Sequence, residues 1–92
     1  MRPVAVIDID GTISKVGDRL KYLQQTPKDW DNFYDACFDD EPIRETCDLV
    51  TALSLNCNIV FCTGRSERVR NKTEEWLDEF LPCFRVCVDN AT

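Results

Sequence analysis

The chain has no histidine, no Cys-x-x-Cys and no long hydrophobic run. Without histidine or closely paired cysteines, a zinc site would need an unusual arrangement of Cys37, Cys47, Cys57, Cys62, Cys83 and Cys87. Met1-Arg2-Pro3 is followed by only four apolar residues before Asp8, which matches neither a secretory signal nor a membrane span. A cytoplasmic location is therefore expected. With no secretory signal, the six cysteines are expected to be reduced thiols, most of them acting as small core hydrophobes. Cys47 and Cys62, for example, fall at apolar positions of a predicted helix and strand. Nothing resembling a repeat, linker or low-complexity stretch divides the 92 residues, so one small domain over 1–92 with a modest core is expected. A hydrophobic content of 43% places it among globular rather than disordered chains.

Positive charge is also scarce. A net charge of −6 argues against broad electrostatic binding to nucleic acid, which depends on neutralising many phosphates. One basic cluster stands apart, at Arg65, Arg68, Arg70 and Lys72. On a helix Arg65, Arg68 and Lys72 share a face while Arg70 points elsewhere. Such a face could grip the end of a phosphate-bearing ligand. The plainer reading, favoured for Arg68 and Lys72, is a solvated face balanced by Glu67, Glu74 and Glu75.

What is present is concentrated at two strand ends. Val4 to Ile7 is continuously apolar and rich in β-branched residues, the pattern of a strand covered on both faces in a parallel α/β sheet. It delivers Asp8 and Asp10 into Gly11 and Thr12, at the carboxyl end where such sheets bind ligands. Two acids so close repel each other, and a hard cation such as Mg2+ would offset that charge. An ordinary Asp-Gly turn is the alternative. Further on, Ile59-Val60-Phe61-Cys62 reads as a second buried strand. It ends in Thr63-Gly64-Arg65-Ser66, where a hydroxyl, a glycine and a guanidinium meet at a helix start that favours anions. Here too a plain turn capped by Ser66 is the alternative.

Between these strands, residues 14–25 read as polar and loop-like, with Leu20 and Leu23 on a short helix. Thr26-Pro27-Lys28-Asp29 reads as a helix start with Thr26 as cap. Trp30, Phe33, Tyr34 and Cys37 then recur on one face, as a core stripe or the wall of a substrate pocket. Pro42 opens a second helix, with Ile43, Cys47, Val50 and Leu53 on one side and Asn56 and Asn58 at its end. A third helix after Ser66 carries Val69, Thr73, Trp76, Leu77 and Phe80 and stops at Pro82. The last two helices are expected to be right-handed crossovers between parallel strands.

In order and spacing, Asp8-Ile9-Asp10-Gly11-Thr12 and Ile59 to Arg65 resemble the first two motifs of the haloacid dehalogenase superfamily of phosphotransferases. Lys28 to Phe33, Asp35 to Asp40, Pro42-Ile43, Thr63 to Glu67 and Lys72 to Leu77 narrow this further. Together they look like the phosphatase domain of phage-type polynucleotide kinase/phosphatases, over roughly Val4 to Pro82. The resemblance implies a small Rossmann-like three-layer parallel α/β sheet, truncated to about three strands, with residues 14–41 as a small cap-like insert. It implies a Mg2+-dependent phosphomonoester phosphatase acting on 3′-phosphate ends of nucleic acid or nucleotides through an aspartyl-phosphate. If the source is a phage, the location is the host cytoplasm.

By the same resemblance Asp8 is the nucleophile and Asp10 the general acid/base. Mg2+ is held by Asp8 and by the main-chain carbonyl of Asp10. Thr63, Gly64 and Arg65 hold the substrate phosphate. The superfamily also uses a later lysine and a final acid that completes the metal shell. After Lys72 the sequence has no lysine. Asp89, following the apolar Phe84 to Val88, copies the final acid superficially and is the third candidate metal ligand; the favoured reading makes that strand the family's third one, with both late motifs absent. The alternative is a catalytically weak protein that binds nucleotide, phosphate or a protein partner. With only three strands, Val4 to Asp8 is expected to lie at an edge with unpaired backbone groups. Self-association, or a second chain that completes the sheet, is the expected consequence.

Overall fold

In the computed structural model, Val4–Asp8 (β1), Asn58–Thr63 (β2) and Cys87–Asn90 (β3) form a parallel sheet in the order β1-β2-β3. The structure describes residues 2–81 and the backbone of 87–90. The register pairs Asp8 with Cys62 and Cys62 with Asp89, which sets these three in one row at the carboxyl end. The parallel α/β class expected from the sequence is thus present, with β1 at the edge.

Two helices make the crossovers. Arg44–Leu53 (α2) links β1 to β2, and Arg70–Phe80 (α3) leads from β2 towards β3. Both pack on the same face of the sheet. Ile59 and Phe61 of β2 meet Cys47 and Val50 of α2 and Trp76 and Leu77 of α3 there, with Ile9 and Ile13 beneath. All of these are almost fully buried. Removing each large apolar side chain from water contributes about 1.5–3 kcal/mol. Of the expected stripe, Thr73, Trp76 and Leu77 of α3 are buried, Val69 is buried in the 3-10 turn Glu67–Val69 that precedes it, and Phe80 is partly buried.

The opposite face differs from the sequence expectation. Val4 and Val6 are 59% and 65% exposed, so β1 is not covered on both sides by the described residues. Its burial alternates instead, exposed on the side of Val4, Val6 and Asp8 and half-buried at Ala5 and Ile7. Because both crossovers run the same way along the sheet, right-handed connections put both helices on one side. The second helical layer of a three-layer sandwich does not occur among the described residues.

The segment between β1 and α2 holds a 3-10 helix at Gly17–Leu23, a short helix at Trp30–Asp35 (α1) and a further 3-10 turn at Ala36–Asp39. Here several boundaries shift. Thr26 caps nothing; α1 starts at Trp30 because the Asp29 carboxylate accepts the Asn32 N–H at 3.1 Å. Phe33 and Cys37 are buried, while Trp30 stays exposed and stacks on Tyr34. Pro42 lies two residues before α2, whose capping position is Ile43, and α2 ends at Leu53. Asn58 does not end that helix but begins β2. Pro82, the expected stop of α3, lies outside the described residues.

Candidate active site

The turn after β1 is built on one carbonyl. Ile9 O accepts the N–H groups of Thr12, Ile13 and Ser14 at 3.0–3.1 Å. So tight a return needs a left-handed residue, and Gly11 supplies it with φ +80°. Asp8 stands exposed at the strand end, its Oδ1 accepting the Ile9 N–H at 2.9 Å. One residue past the Asp8 row, Thr63 closes β2 on the helix-covered side. Its Oγ1 accepts the Arg65 N–H at 3.1 Å, and its own hydroxyl proton remains available to donate. Gly64 is exposed.

Asp10 and Arg65, both assigned to one site from the sequence, lie in direct contact. Arg65 is 2% exposed. It donates to Asp10 Oδ1 from Nε at 3.1 Å and from Nη2 at 2.6 Å, and to Thr73 Oγ1 from Nη1 at 3.0 Å. The guanidinium assigned to substrate phosphate is therefore engaged by a carboxylate of its own chain.

A second buried arginine was not anticipated. Arg19, from the 3-10 helix Gly17–Leu23 between β1 and α2 and also 2% exposed, donates to Asp10 Oδ1 at 2.7 Å. Asp40 accepts from Nε at Oδ1 at 2.9 Å and from the same Nη2 at Oδ2 at 2.8 Å, while Nη1 donates to the Phe33 carbonyl at 3.4 Å. Its guanidinium carbon lies 4.5 Å from the centre of the Phe33 ring. Burial works to lower the Arg19 pKa, but the bonds and charges of Asp40 and Asp10 outweigh it and hold the group above its ordinary value.

Asp40 is the hub of this cluster. Its Oδ2 also accepts the Ser14 hydroxyl at 2.5 Å and lies 3.5 Å from Arg65 Nη2. Its main-chain carbonyl accepts the Trp76 indole N–H at 2.8 Å. Arg19 is the only arginine between Arg2 and Arg44, and Asp40 is the middle residue of the acidic run Asp39-Asp40-Glu41 before Pro42. Asp40 also ends the Asp35 to Asp40 stretch that carries the family resemblance, but none of these signals assigns either residue a role.

The other basic residues serve packing. Arg68, in the 3-10 turn Glu67–Val69 just before α3, pairs with Asp35 at 3.1 Å and Asp31 at 3.4 Å, and Lys72 of α3 with Asp35 at 3.9 Å, so they tie the start of α3 to α1. Arg68 and Lys72 are solvent-exposed as expected, but Asp31 and Asp35 balance them in place of Glu67, Glu74 and Glu75. Arg70 does pair with Glu67, at 2.5 Å, across one helical turn. A polar cleft of about 460 Å³ opens beside the cluster, with Arg19, Tyr22, Asp39 and Asp40 in its wall.

Among the described residues no group of three or more Cys, Asp or Glu side chains converges as a metal cage. The exposed Asp8 carboxylate and the Asp10 carbonyl are hard oxygen donors, a set that suits Mg2+, which keeps waters and takes ligands from substrate phosphate. The Asp89 backbone lies across β2 from Asp8; its side chain lies outside the described residues, as do those of Cys83 and Cys87. No helix among the described residues is long and apolar enough to cross a membrane. The family model for the polynucleotide kinase PNKP phosphatase domain matches residues 3–86. Searches of curated proteins and of solved structures returned no significant match.

Proposed function

This chain belongs to the polynucleotide kinase PNKP phosphatase domain family, and we propose that it is a Mg2+-dependent phosphatase of 3′-phosphate ends of nucleic acid or nucleotides. The observation that carries this is Asp8. Its carboxylate is exposed at the carboxyl end of an edge strand, held by one backbone N–H, two residues before an Asp10 that two arginines fix in place. In the reaction an Asp8 oxygen attacks phosphorus and the bond to the ester oxygen breaks. Asp10 gives a proton to the departing alcohol. Water then attacks the aspartyl-phosphate, Asp10 takes its proton, and phosphate leaves with Asp8 restored. Mg2+ held by Asp8, the Asp10 carbonyl and Asp89 would neutralise the phosphoryl oxygens. Thr63 donates its hydroxyl to the phosphoryl group, with Gly64 giving room for close approach and Arg65 on the substrate phosphate.

The test is turnover of an aryl phosphate and of a 3′-phosphorylated oligonucleotide, with and without Mg2+, in wild type and Asp8→Asn. Mg2+-dependent turnover lost in the variant is expected. A folded wild type that turns over neither substrate ends the enzyme reading.

One observation favours a second reading, a binding protein of weak or no turnover: Arg65 is already occupied by Asp10 and Thr73. In that case nucleotide or inorganic phosphate binds with equal affinity to wild type and Asp8→Asn in calorimetry. We also propose that the β1 edge recruits a second chain, a copy of this one or a chain that completes the sheet. Its support is the side of β1 left unpaired among the described residues and the exposed Val4 and Val6. A monodisperse monomer in light scattering at micromolar concentration would count against it.

A further inference from the structure

We infer that Asp40 is a positioning residue for Asp10: it sets the two arginine forks that hold the acid/base carboxylate. This deepens the phosphatase reading and rests on it for its catalytic readout. The geometry is asymmetric. Arg19 spends two donor nitrogens, Nε and Nη2, on the Asp40 carboxylate and only Nη2 on Asp10. Arg65 approaches the same Asp40 Oδ2 at 3.5 Å while bonding Asp10 Oδ1 through Nε and Nη2. Both arginines thus converge on one oxygen of Asp10, Oδ1.

A planar guanidinium has a rigid fork, so fixing one side of it fixes where the other side points. Asp40 fixes that side for Arg19 directly and lies beside it for Arg65. Asp40 is itself held at three points: the Ser14 hydroxyl, the Arg19 fork, and through its carbonyl the Trp76 indole on α3. Those anchors come from the turn after Asp10, the 3-10 helix Gly17–Leu23 and a core helix, so Asp40 refers the acid/base group to the rigid interior. Charge supports the same assignment. Two arginines on Asp10 alone would leave one positive charge uncompensated in a nearly closed site, and Asp40, its side chain 4% exposed, supplies the balance.

Asp40→Asn is the variant of choice, since it keeps the size and one carboxamide oxygen. With 3′-phosphorylated oligonucleotide and Mg2+, kcat is expected to fall about 10–100-fold, the scale of a small misplacement of a reacting group, with a smaller rise in KM because Arg65 also faces the substrate phosphate. Asp40→Glu, which restores the charge, is expected to recover part of kcat. A readout independent of turnover is the protection of the arginine Nε–H signals in NMR. The Arg19 and Arg65 signals should be sharp and slowly exchanging in wild type and lose protection in folded Asp40→Asn. Unchanged kcat together with retained Arg65 protection would overturn the inference, as would a loss confined to KM. If wild type shows no turnover while Asp40→Asn selectively loses Arg65 protection, the positioning role stands and the phosphatase reading falls. Should Asp40→Asn not fold, Ser14→Ala removes one anchor without unbalancing charge. A fall of about 3-fold in kcat with weakened Arg65 protection is then expected, and no change in either overturns the inference.

Discussion

The two faces of the sheet have the same kinds of residue and opposite surroundings. On the helix side Ile59 and Phe61 are sealed under α2 and α3, and the network of Asp10, Arg19, Arg65 and Asp40 extends that dry interior to the strand ends. On the other side Val4 and Val6 face solvent, and Asp8 stands at the end of their row. The difference separates the roles of two aspartates only two residues apart. Asp10 turns towards the interior and is immobilised by buried charges. Asp8 stays on the open side, where an incoming phosphate can reach it. Apolar residues on that open side are the feature a fully covered strand would have, and they give the proposed association its driving force.

The strongest way to break this comparison is to weigh one side chain from each face. Phe61→Ala should lower unfolding free energy by about 3–5 kcal/mol, because the rigid neighbours Trp76 and Leu77 cannot fill the void. Val6→Ala should cost less than about 1 kcal/mol, as expected for a residue already largely in water. Urea titrations of both variants decide it. Equal losses would mean that Val6 is buried in solution and the open face has a cover.

A second substitution sharpens the point by separating folding from association. Val6→Lys puts a charge on the open face and should leave stability of the folded monomer within about 0.5 kcal/mol of wild type. Any dimer or larger species seen for wild type in sedimentation equilibrium should dissociate in the variant. Wild-type association that survives this change would move the contact away from β1.

How far the sequence reveals this arrangement follows from how local each signal is. Asp8, Asp10, Thr63 and Arg65 were legible because each sits within a few residues of a strand end marked by a β-branched run and a glycine. Val69 to Leu77 was legible through helical periodicity. Arg19 and Asp40 were not, since they meet across 21 residues of short helices and turns and gain their meaning only from shared burial. The uncovered side of β1 was hidden for a different reason: an apolar run reports that a cover suits the strand, not where the cover comes from. The start of α1 was missed because Thr26-Pro27 and Asp29 are both plausible helix starts, and the Asp29 carboxylate won by reaching Asn32.

The smallest effect expected is in thiol chemistry, and it tests the same two faces residue by residue. Cys47 is buried with the helix-side core and Cys37 beneath the ion network. Cys62 was expected to pack in the core, yet it is half-buried in the row of Asp8. Burial pushes the Cys37 thiol up from its ordinary 9.0, against the pull of Arg65 and Arg19, and pushes Cys47 up against Arg44. The unfolded chain therefore loses these protons first. The stability this gives is fully present below about pH 9 and falls as pH rises beyond it, so the melting temperature should decline by a few degrees between about pH 8 and 10.5 and less steeply in Cys37→Ser. Because thiolate is the reactive form, iodoacetamide at about pH 8 with peptide mapping should label Cys62 well before Cys47 or Cys37. If Cys62 is as protected as Cys47, its face is covered in solution; if dilution or Val6→Lys then exposes it, the cover is a second chain rather than part of the same fold.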